Sequence, residues 1–166
     1  MINSVLFVCT GNTCRSVMAE YLLKHHAEKK GISLRVSSAG IGAFSGDSAN
    51  KHAVDVLAEL GIDAGEHRSS LVNPYLLEEF DLVLAMTESH KYQLLQAAPH
   101  LKERVHLLKA MAKTIENVQE LDEEIEKSYN VSDPFGQSIE IYRQSRDEIN
   151  SAVKKVLQNI IVGGKR

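Results

Sequence analysis

Cysteine is scarce in this sequence, which contains only Cys9 and Cys14. Two thiols five positions apart cannot form the framework of structural disulfides that stabilises small secreted domains. The histidines show no metal-ligand spacing, and there is no acidic cluster of the kind that holds magnesium. We therefore expect neither a metal ion nor a cofactor.

Long apolar runs and a strong excess of one charge are also absent. No apolar run approaches the roughly 20 residues of a membrane-spanning helix, and Met1 lies too close to the first apolar stretch for a signal peptide. The net charge of −3 gives no reason to expect nucleic acid or an anionic membrane as a partner. The sequence predicts a single domain, residues 1–166, that is cytoplasmic and monomeric.

Four short apolar segments alternate with segments of helical periodicity. The apolar segments are residues 5–8, 34–39, 81–86 and 105–108. Helical patterns begin at Ser16 and recur at 50–60, 70–80, 87–98, 113–127 and 139–161. Apolar runs of this kind are typical of parallel strands buried on both faces, and the helices between them form right-handed crossovers. We predict an α/β fold with three layers, αβα, around a central four-stranded parallel sheet.

A small polar loop follows the first strand and carries Cys9 and Arg15. Backbone N–H groups of such a loop, with the first turn of the next helix, form a site for a tetrahedral anion. A helix N-terminus and a fixed cation favour the thiolate of Cys9, and the planar Arg15 guanidinium can bind two phosphoryl oxygens. The Cys9-x5-Arg15 pattern predicts phosphoryl transfer with Cys9 as nucleophile. The alternative is a strand-to-helix turn with a buried structural cysteine.

The other loop residues have expected supporting roles. Gly11 and Asn12 tolerate the positive φ that turns the amides inward. Ser16 can cap the helix and hydrogen-bond the Cys9 sulfur. Contacts with the phosphate or the substrate are expected from Thr10, Gly11, Asn12, Thr13, Cys14 and Ser16.

Together with other segments, this loop resembles the low-molecular-weight protein tyrosine phosphatases and, more narrowly, the bacterial protein-arginine phosphatases within that family. The further segments, in family order, are Ser37-Ser-Ala-Gly40, His52-Ala-Val, Asp81-Leu-Val-Leu-Ala-Met-Thr87, His90-Lys91, Asp133-Pro-Phe-Gly136 and Ile141-Tyr-x-x-x-Arg-Asp-Glu148. Val17 departs from the family, which usually has proline after Arg-Ser. The resemblance implies a phosphatase that acts on phosphorylated proteins.

Asp133 is the second expected catalytic residue. Pro134 favours an extended backbone at Asp133, and Phe135 can form an apolar wall beside the leaving group. The resemblance implies that Asp133 protonates the leaving group and then deprotonates the water that attacks the phosphocysteine. The alternative is an ordinary Asp-Pro turn. The same resemblance implies that His67 braces the loop.

Thr13 bears on the choice of substrate. The arginine phosphatases have threonine at this place and tyrosine-selective relatives a larger aliphatic residue, so the resemblance favours phosphoarginine, with phosphotyrosine as the alternative. An arsenate reductase is disfavoured because no cysteine follows Cys14. A non-catalytic phosphate-binding module is disfavoured because Cys9, Arg15 and Asp133 are all present.

Three further hypotheses concern the surroundings of the loop. Peroxide would form a reversible Cys9–Cys14 disulfide that protects Cys9 from irreversible oxidation. Phe44 is either a loose wall at the rim of the site or a simple anchor of a surface loop. The acidic segment 113–127 is predicted to be an exposed helix.

Overall fold

The structure is a computed structural model that describes residues 1–113 and 129–164. The strands in these ranges are β1 (Ser4–Cys9), β2 (Arg35–Gly40), β3 (Leu82–Ala85) and β4 (Val105–Leu107). The helices are α1 (Arg15–Lys29), α2 (Lys51–Ala58), α3 (Pro74–Glu78), α4 (Glu88–Ala97), α5 (Leu108–Met111) and α6 (Ile139–Gly163), with a 3₁₀ turn at Pro99–Leu101.

All four strands form one parallel sheet in the order β2-β1-β3-β4. β1 pairs with β2 along its full length, from Ser4 opposite Arg35 to Cys9 opposite Gly40. On its other side β1 pairs with β3. Because parallel strands end at the same edge of a sheet, the residues that follow β1, β2 and β3 meet beyond that edge. The predicted four-stranded parallel sheet is confirmed.

The sheet is buried on both faces, which explains why its strands are apolar without alternation. Val5 and Phe7 of β1 pack with buried side chains of α1, α2 and α6. Leu6 and Val8 point the other way and pack with Leu77 of α3 and with residues of α4. The predicted three-layer arrangement is therefore confirmed, with β1 fully covered at its centre.

The long C-terminal helix α6 covers one face of the sheet through one side only. Ile149, Val153 and Val156 are fully buried on that side, as the helical spacing predicts. Its other sides carry charged residues. In the part of the chain that the structure describes, no helix combines the length and the apolar character that crossing a membrane requires.

Several predicted boundaries shift by a few residues. The fourth strand ends at Leu107 because the backbone turns into α5 at Leu108. The helix predicted within 70–80 is the five-residue α3, which begins at Pro74 with the Asn73 side chain capping it. The predicted helix 113–127 lies, apart from Lys113, outside the described residues.

Candidate active site

The loop between β1 and α1 surrounds a cavity of about 210 Å³ at the carboxyl edge of the sheet. Two segments far apart in sequence contribute to it. The lining residues are Cys9, Thr10, Gly11, Thr13, Cys14, Arg15, Asp133 and Phe135. The structure thus brings together the predicted nucleophile, the predicted cation and the predicted general acid. Phe44 does not line this cavity, and with 78% of its surface exposed it packs against too little to anchor its loop, so neither hypothesis for Phe44 is confirmed.

Cys9 is the last residue of β1 and is only 3% exposed. Its sulfur lies 2.9 Å from the Ser16 hydroxyl oxygen and accepts a hydrogen bond from the Asn12 backbone N–H at 3.3 Å. The Ser16 oxygen also accepts from the Asn12 side-chain amide at 2.9 Å. Because that oxygen is already an acceptor, its own hydrogen is free to point at the sulfur. Two donors therefore face Cys9, as predicted for Ser16.

The start of α1 differs from the prediction in one respect. Cys14, and not Ser16, occupies the N-cap position, and Ser16 lies fully buried inside the first turn. The predicted capping role of Ser16 is therefore wrong, because its hydroxyl is directed to Cys9 and Asn12. The helix begins at Arg15 although Val17 replaces the usual proline, and Val17 is fully buried in the core.

Asn12 holds the loop in shape. Its φ of 54° is positive, whereas Gly11 is not among the residues with positive φ, so the prediction holds for Asn12 and is wrong for Gly11. The buried Asn12 side chain donates to Ser38 Oγ at 2.8 Å and accepts from the Ser70 N–H at 3.0 Å. His67 Nε2 lies 3.0 Å from the Asn12 carbonyl oxygen, so the predicted bracing role of His67 is confirmed. These contacts fix the backbone of the loop at Asn12, whose own N–H is directed at the Cys9 sulfur.

Arg15 is buried, and its guanidinium is held in place by contacts with the segment that carries Asp133. Arg15 Nη1 donates to the Val131 carbonyl oxygen at 2.9 Å, and Nη2 lies 3.5 Å from Asp133 Oδ2. The Asp133 side chain is 53% exposed, so this ion pair is weakly stabilising and easily replaced by an incoming anion. The other Asp133 oxygen accepts from the Phe135 N–H at 3.1 Å, which orients the carboxylate over the cavity mouth.

The second thiol of the loop, Cys14, contacts the terminal helix. Its sulfur lies 3.2 Å from the hydroxyl of Tyr142, which is fully buried on α6. Burial raises the pKa of the Cys14 thiol, and the hydrogen bond from Tyr142 opposes that shift. Both cysteines are free thiols in this structure.

Thr10 lines the cavity and is linked to the helix after β3. Its hydroxyl oxygen lies 2.8 Å from Nε2 of His90, a residue only 5% exposed in the first turn of α4. Burial, together with the Arg15 charge, lowers the pKa of His90 to about 4. His90 is therefore neutral at physiological pH.

Three supporting residues carry no distinct signal in the sequence: Gly40, His90 and Tyr142. All of them lie in segments that resemble the family, but spacing alone assigns them no task. An alanine Cβ at Gly40 would stand 2.4 Å from the Thr10 carbonyl oxygen, so only glycine fits beside the loop. Within residues 1–113 and 129–164, no three His, Cys, Asp or Glu side chains form a group that could hold a metal ion.

Comparison with known proteins gives the same assignment from an independent direction. Residues 4–162 match the family described as low molecular weight phosphotyrosine protein phosphatase. A protein-arginine-phosphatase of Bacillus subtilis is 40% identical over 157 residues, which cover 94% of this chain and 95% of that protein. A probable low molecular weight protein-tyrosine-phosphatase, EpsP of Ralstonia nicotianae, is 33% identical over 153 residues, or 92% of each chain.

The fold is shared with solved structures of such proteins. One of them is a cysteine-to-serine mutant of the YwlE arginine phosphatase that carries a phosphorylated active-site serine. It superposes with a TM-score of 0.82 at 38% identity and covers 95% of each chain. The chain belongs to the low molecular weight phosphotyrosine protein phosphatase family.

Proposed function

We propose that this protein is a cysteine-dependent protein phosphatase that hydrolyses phosphoarginine in proteins through a phosphocysteine intermediate. One observation carries the proposal. The Cys9 sulfur lies in the same cavity as the buried Arg15 guanidinium, and Asp133 lies 3.5 Å from that guanidinium at the cavity mouth. This arrangement supplies a nucleophile, an anion-binding fork and a proton donor for one phosphoryl group.

In the first step the Cys9 thiolate attacks phosphorus from the floor of the cavity. The sulfur–phosphorus bond forms while the bond from phosphorus to the guanidinium nitrogen of the substrate breaks. Asp133, in its protonated form, gives its proton to the departing nitrogen. Arg15 and the loop N–H groups bind the phosphoryl oxygens and stabilise their charge in the transition state.

In the second step water replaces the sulfur. The Asp133 carboxylate takes a proton from a water molecule as its oxygen bonds to phosphorus. The sulfur–phosphorus bond breaks, which releases inorganic phosphate and restores the Cys9 thiolate. The hydrogen bonds to the sulfur from Ser16 and Asn12 stabilise it as a leaving group. The phosphorylated serine in the YwlE mutant supports such an intermediate at the equivalent place.

Phosphoarginine is supported as the substrate by the relatives and by Thr13. Arginine phosphatases of Bacillus subtilis and Geobacillus stearothermophilus are 40% and 36% identical to this chain over nearly its whole length. Thr13 lines the cavity and offers a hydroxyl that a bound substrate could hydrogen-bond. A short polar side chain leaves room for a planar guanidinium and provides less apolar surface to a phenol ring.

Phosphotyrosine is the second candidate. Phe135 lines the cavity mouth with 65% of its surface exposed, so an aromatic substrate could pack against it. The Ralstonia nicotianae relative described as a probable tyrosine phosphatase is 33% identical over 92% of the chain. Cys9, Arg15 and Asp133 would keep their roles with either substrate.

We also propose that oxidation controls the enzyme reversibly. Peroxide would convert the Cys9 thiolate to a sulfenic acid, and the Cys14 sulfur would displace its oxygen as hydroxide to form a disulfide. A thiol reductant would restore both cysteines. The presence of both thiols at one cavity supports this hypothesis.

The oligomeric state, compartment and partners of the enzyme are proposed from the sequence. We propose a monomer made of one domain, residues 1–166, that acts on phosphorylated proteins in the cytoplasm and has no nucleic-acid or membrane partner. The modest net charge of −3 supports the last point. Light scattering on the purified protein tests the oligomeric state.

The function is tested by a paired steady-state assay with phosphoarginine and phosphotyrosine peptides of the same sequence, in the presence of a reductant. We expect a higher kcat/KM for the phosphoarginine peptide and no turnover by Cys9→Ser with either one. Thr13→Ile should shift the ratio of the two kcat/KM values toward phosphotyrosine by about tenfold. Full turnover by Cys9→Ser would contradict the phosphatase mechanism, and an unchanged ratio in Thr13→Ile would contradict the specificity argument alone.

A further inference from the structure

The partly buried contact between Thr10 and His90 has no role in the mechanism above. Thr10 follows the nucleophile directly and lines the cavity. Its hydroxyl is bound by a histidine 80 positions away, at 2.8 Å. Four other long-range hydrogen bonds to the loop hold Asn12, whereas this one reaches a different part of the cavity wall.

The backbone around His90 is anchored by hydrogen bonds. It lies in the first turn of α4, where its backbone N–H donates to the capping Thr87 hydroxyl at 3.2 Å. The Glu88 N–H, two residues earlier, donates to the Asn130 side chain at 2.8 Å, which ties this turn to the segment before Asp133. A donor fixed in this way can orient its partner without moving itself.

The environment of the imidazole selects which nitrogen carries the hydrogen. His90 Nδ1 is buried and has no hydrogen-bond partner among the residues that the structure describes. A hydrogen on Nδ1 would leave a buried N–H without an acceptor, which is the costlier arrangement. A second hydrogen would create a buried cation next to the Arg15 charge, and the lowered pKa of His90 agrees that this form is disfavoured. The hydrogen therefore sits on Nε2 and is donated to the Thr10 oxygen.

This direction of donation leaves the Thr10 hydroxyl with its own hydrogen unused. A hydroxyl has one hydrogen and can accept at the same time as it donates. The Thr10 backbone is also fixed, because its carbonyl oxygen accepts from the Gly42 N–H at 2.9 Å. With the carbonyl and the histidine occupying two sides, the hydroxyl hydrogen is free to point toward the cavity that Thr10 lines.

We propose that His90 is a positioning residue that turns the Thr10 hydroxyl into a donor for a phosphoryl oxygen of the substrate. The site would then bind the phosphoryl group with one side-chain hydroxyl in addition to the backbone amides and Arg15. This inference rests on the proposed phosphatase function for its catalytic consequence. The expected contact between the Thr10 hydroxyl and a tetrahedral oxyanion does not depend on catalysis, so it can be measured with inorganic phosphate in the absence of any substrate.

The test measures inorganic phosphate affinity by calorimetry and kcat on a phosphorylated peptide. Thr10→Val removes the hydroxyl at nearly constant shape, and His90→Leu removes the donor that orients it. Each is expected to weaken phosphate binding and to lower kcat by about tenfold. The double variant is expected to lose no more than either single variant, because the two residues act through one hydrogen bond.

His90→Gln serves as the conservative variant because its amide nitrogen can donate from nearly the same place as Nε2. It should recover most of the phosphate affinity that His90→Leu loses. His26→Leu is the matched control: His26 Nε2 lies 2.7 Å from the Asn150 side-chain oxygen. That position lies about 16 Å along α1 from Arg15 at 1.5 Å of rise per residue, so phosphate affinity should not change.

Two outcomes would overturn the inference. One is a pair of variants, Thr10→Val and His90→Leu, that lose thermal stability but keep wild-type phosphate affinity and kcat, which would make the contact purely structural. The other is a double variant whose loss is the product of the single losses, which would make the residues independent. Wild-type protein that binds phosphate but turns over no phosphorylated peptide would contradict the proposed function, and the binding measurements would still test the pair.

Discussion

At the scale of single residues, two short contacts govern the Cys9 sulfur. The Ser16 hydroxyl is 2.9 Å away, and the Asn12 N–H points at the sulfur from 3.3 Å. Both contacts hold the sulfur at the floor of the cavity. Both donors come from the same loop as Cys9, which explains why a contiguous stretch of sequence was sufficient to predict the candidate nucleophile.

Asp133→Asn tests the proton transfer. An amide keeps the size of the side chain but cannot give or take the proton, so kcat should fall by about 10²- to 10⁴-fold. The decrease should be smaller for substrates whose leaving group needs no proton. Steady-state rates on an activated aryl phosphate and on a phosphorylated peptide distinguish these cases. Equal losses on both substrates would show that Asp133 serves another purpose.

Tyr142→Phe tests the control of the second thiol, given the proposed oxidation of Cys9. The Tyr142 hydroxyl lies 3.2 Å from the Cys14 sulfur and opposes the rise in the pKa of Cys14 that burial causes. Without it, less of Cys14 is thiolate at neutral pH, so disulfide closure should slow several-fold. More Cys9 should then reach the sulfinic state.

Mass spectrometry after a fixed dose of peroxide measures the ratio of disulfide to sulfinic acid. Tyr92→Phe is the matched control because Tyr92 is 65% exposed on α4. The same ratio in Tyr142→Phe and Tyr92→Phe would rule out a role for Tyr142.

At the scale of elements, the register between β1 and β2 shapes the loop. Cys9 pairs with Gly40, so the end of β2 lies against the first residues of the loop. A Cβ at Gly40 would lie 2.4 Å from the Thr10 carbonyl oxygen and 2.9 Å from the Asn12 nitrogen, both of them backbone atoms. Neither atom can move without distorting the loop.

Gly40→Ala should therefore lower kcat/KM by at least about tenfold and weaken phosphate binding, while circular dichroism still reports a folded protein. Gly42→Ala is the control in the same segment, because an added Cβ there would meet its nearest atoms at 4.0 Å. Its kcat/KM should stay within about twofold of the wild type. Comparable losses in both variants would point to a general disturbance of the segment instead of a clash at Gly40.

At the scale of the whole molecule, the strand order brings distant segments to one edge. β1 lies between β2 and β3, so the catalytic loop is flanked by Gly40 on one side and by His90 on the other. Residues 131–135 then close the cavity from a point more than 100 positions away in the chain. The opposite edge of the sheet, where the strands begin, does not line the cavity, and its contacts contribute to stability.

Asp81 shows that contribution at the opposite edge. Its carboxylate accepts from the Asn3 N–H at 2.7 Å, the Ser4 N–H at 3.0 Å and the Ser4 hydroxyl at 3.1 Å. The hydrogen bond from Asn3, followed by those from Ser4, lowers the pKa of Asp81 below its usual value. Because the folded-state pKa is the lower one, the stabilisation is present above the unfolded-state pKa and is lost as the pH falls.

Asp81→Asn should lower the free energy of unfolding at pH 7 by less than about 1 kcal/mol, since the carboxylate is exposed. The difference from the wild type should shrink as the pH drops below about 5. Urea unfolding at a series of pH values measures it, and kcat should be unaffected. A difference that stays constant from pH 7 to pH 3 would show that the charge of Asp81 has no part in stability.

Most of the fold could be predicted from the chain because its signals are local. Apolar runs such as 5–8 and the i+4, i+3 spacing of Ile149, Val153 and Val156 report burial directly. The wrong predictions concern residues whose local conformational preference is overridden by a contact elsewhere in the fold. Ser16 is a good capping residue, but its hydroxyl is used by Cys9, and Gly11 needs no positive φ because Asn12 makes the turn.

The sequence by itself determined the candidate nucleophile and its cation, because Cys9 and Arg15 lie in one loop between a buried strand and a helix. Spacing within seven residues is enough to place both at one anion site. Only the tertiary structure decided what surrounds them: Val131 on Arg15, Tyr142 on Cys14, His90 on Thr10 and Gly40 against the loop. These contacts join residues up to 128 positions apart, and they depend on strand order and register, which no local pattern encodes.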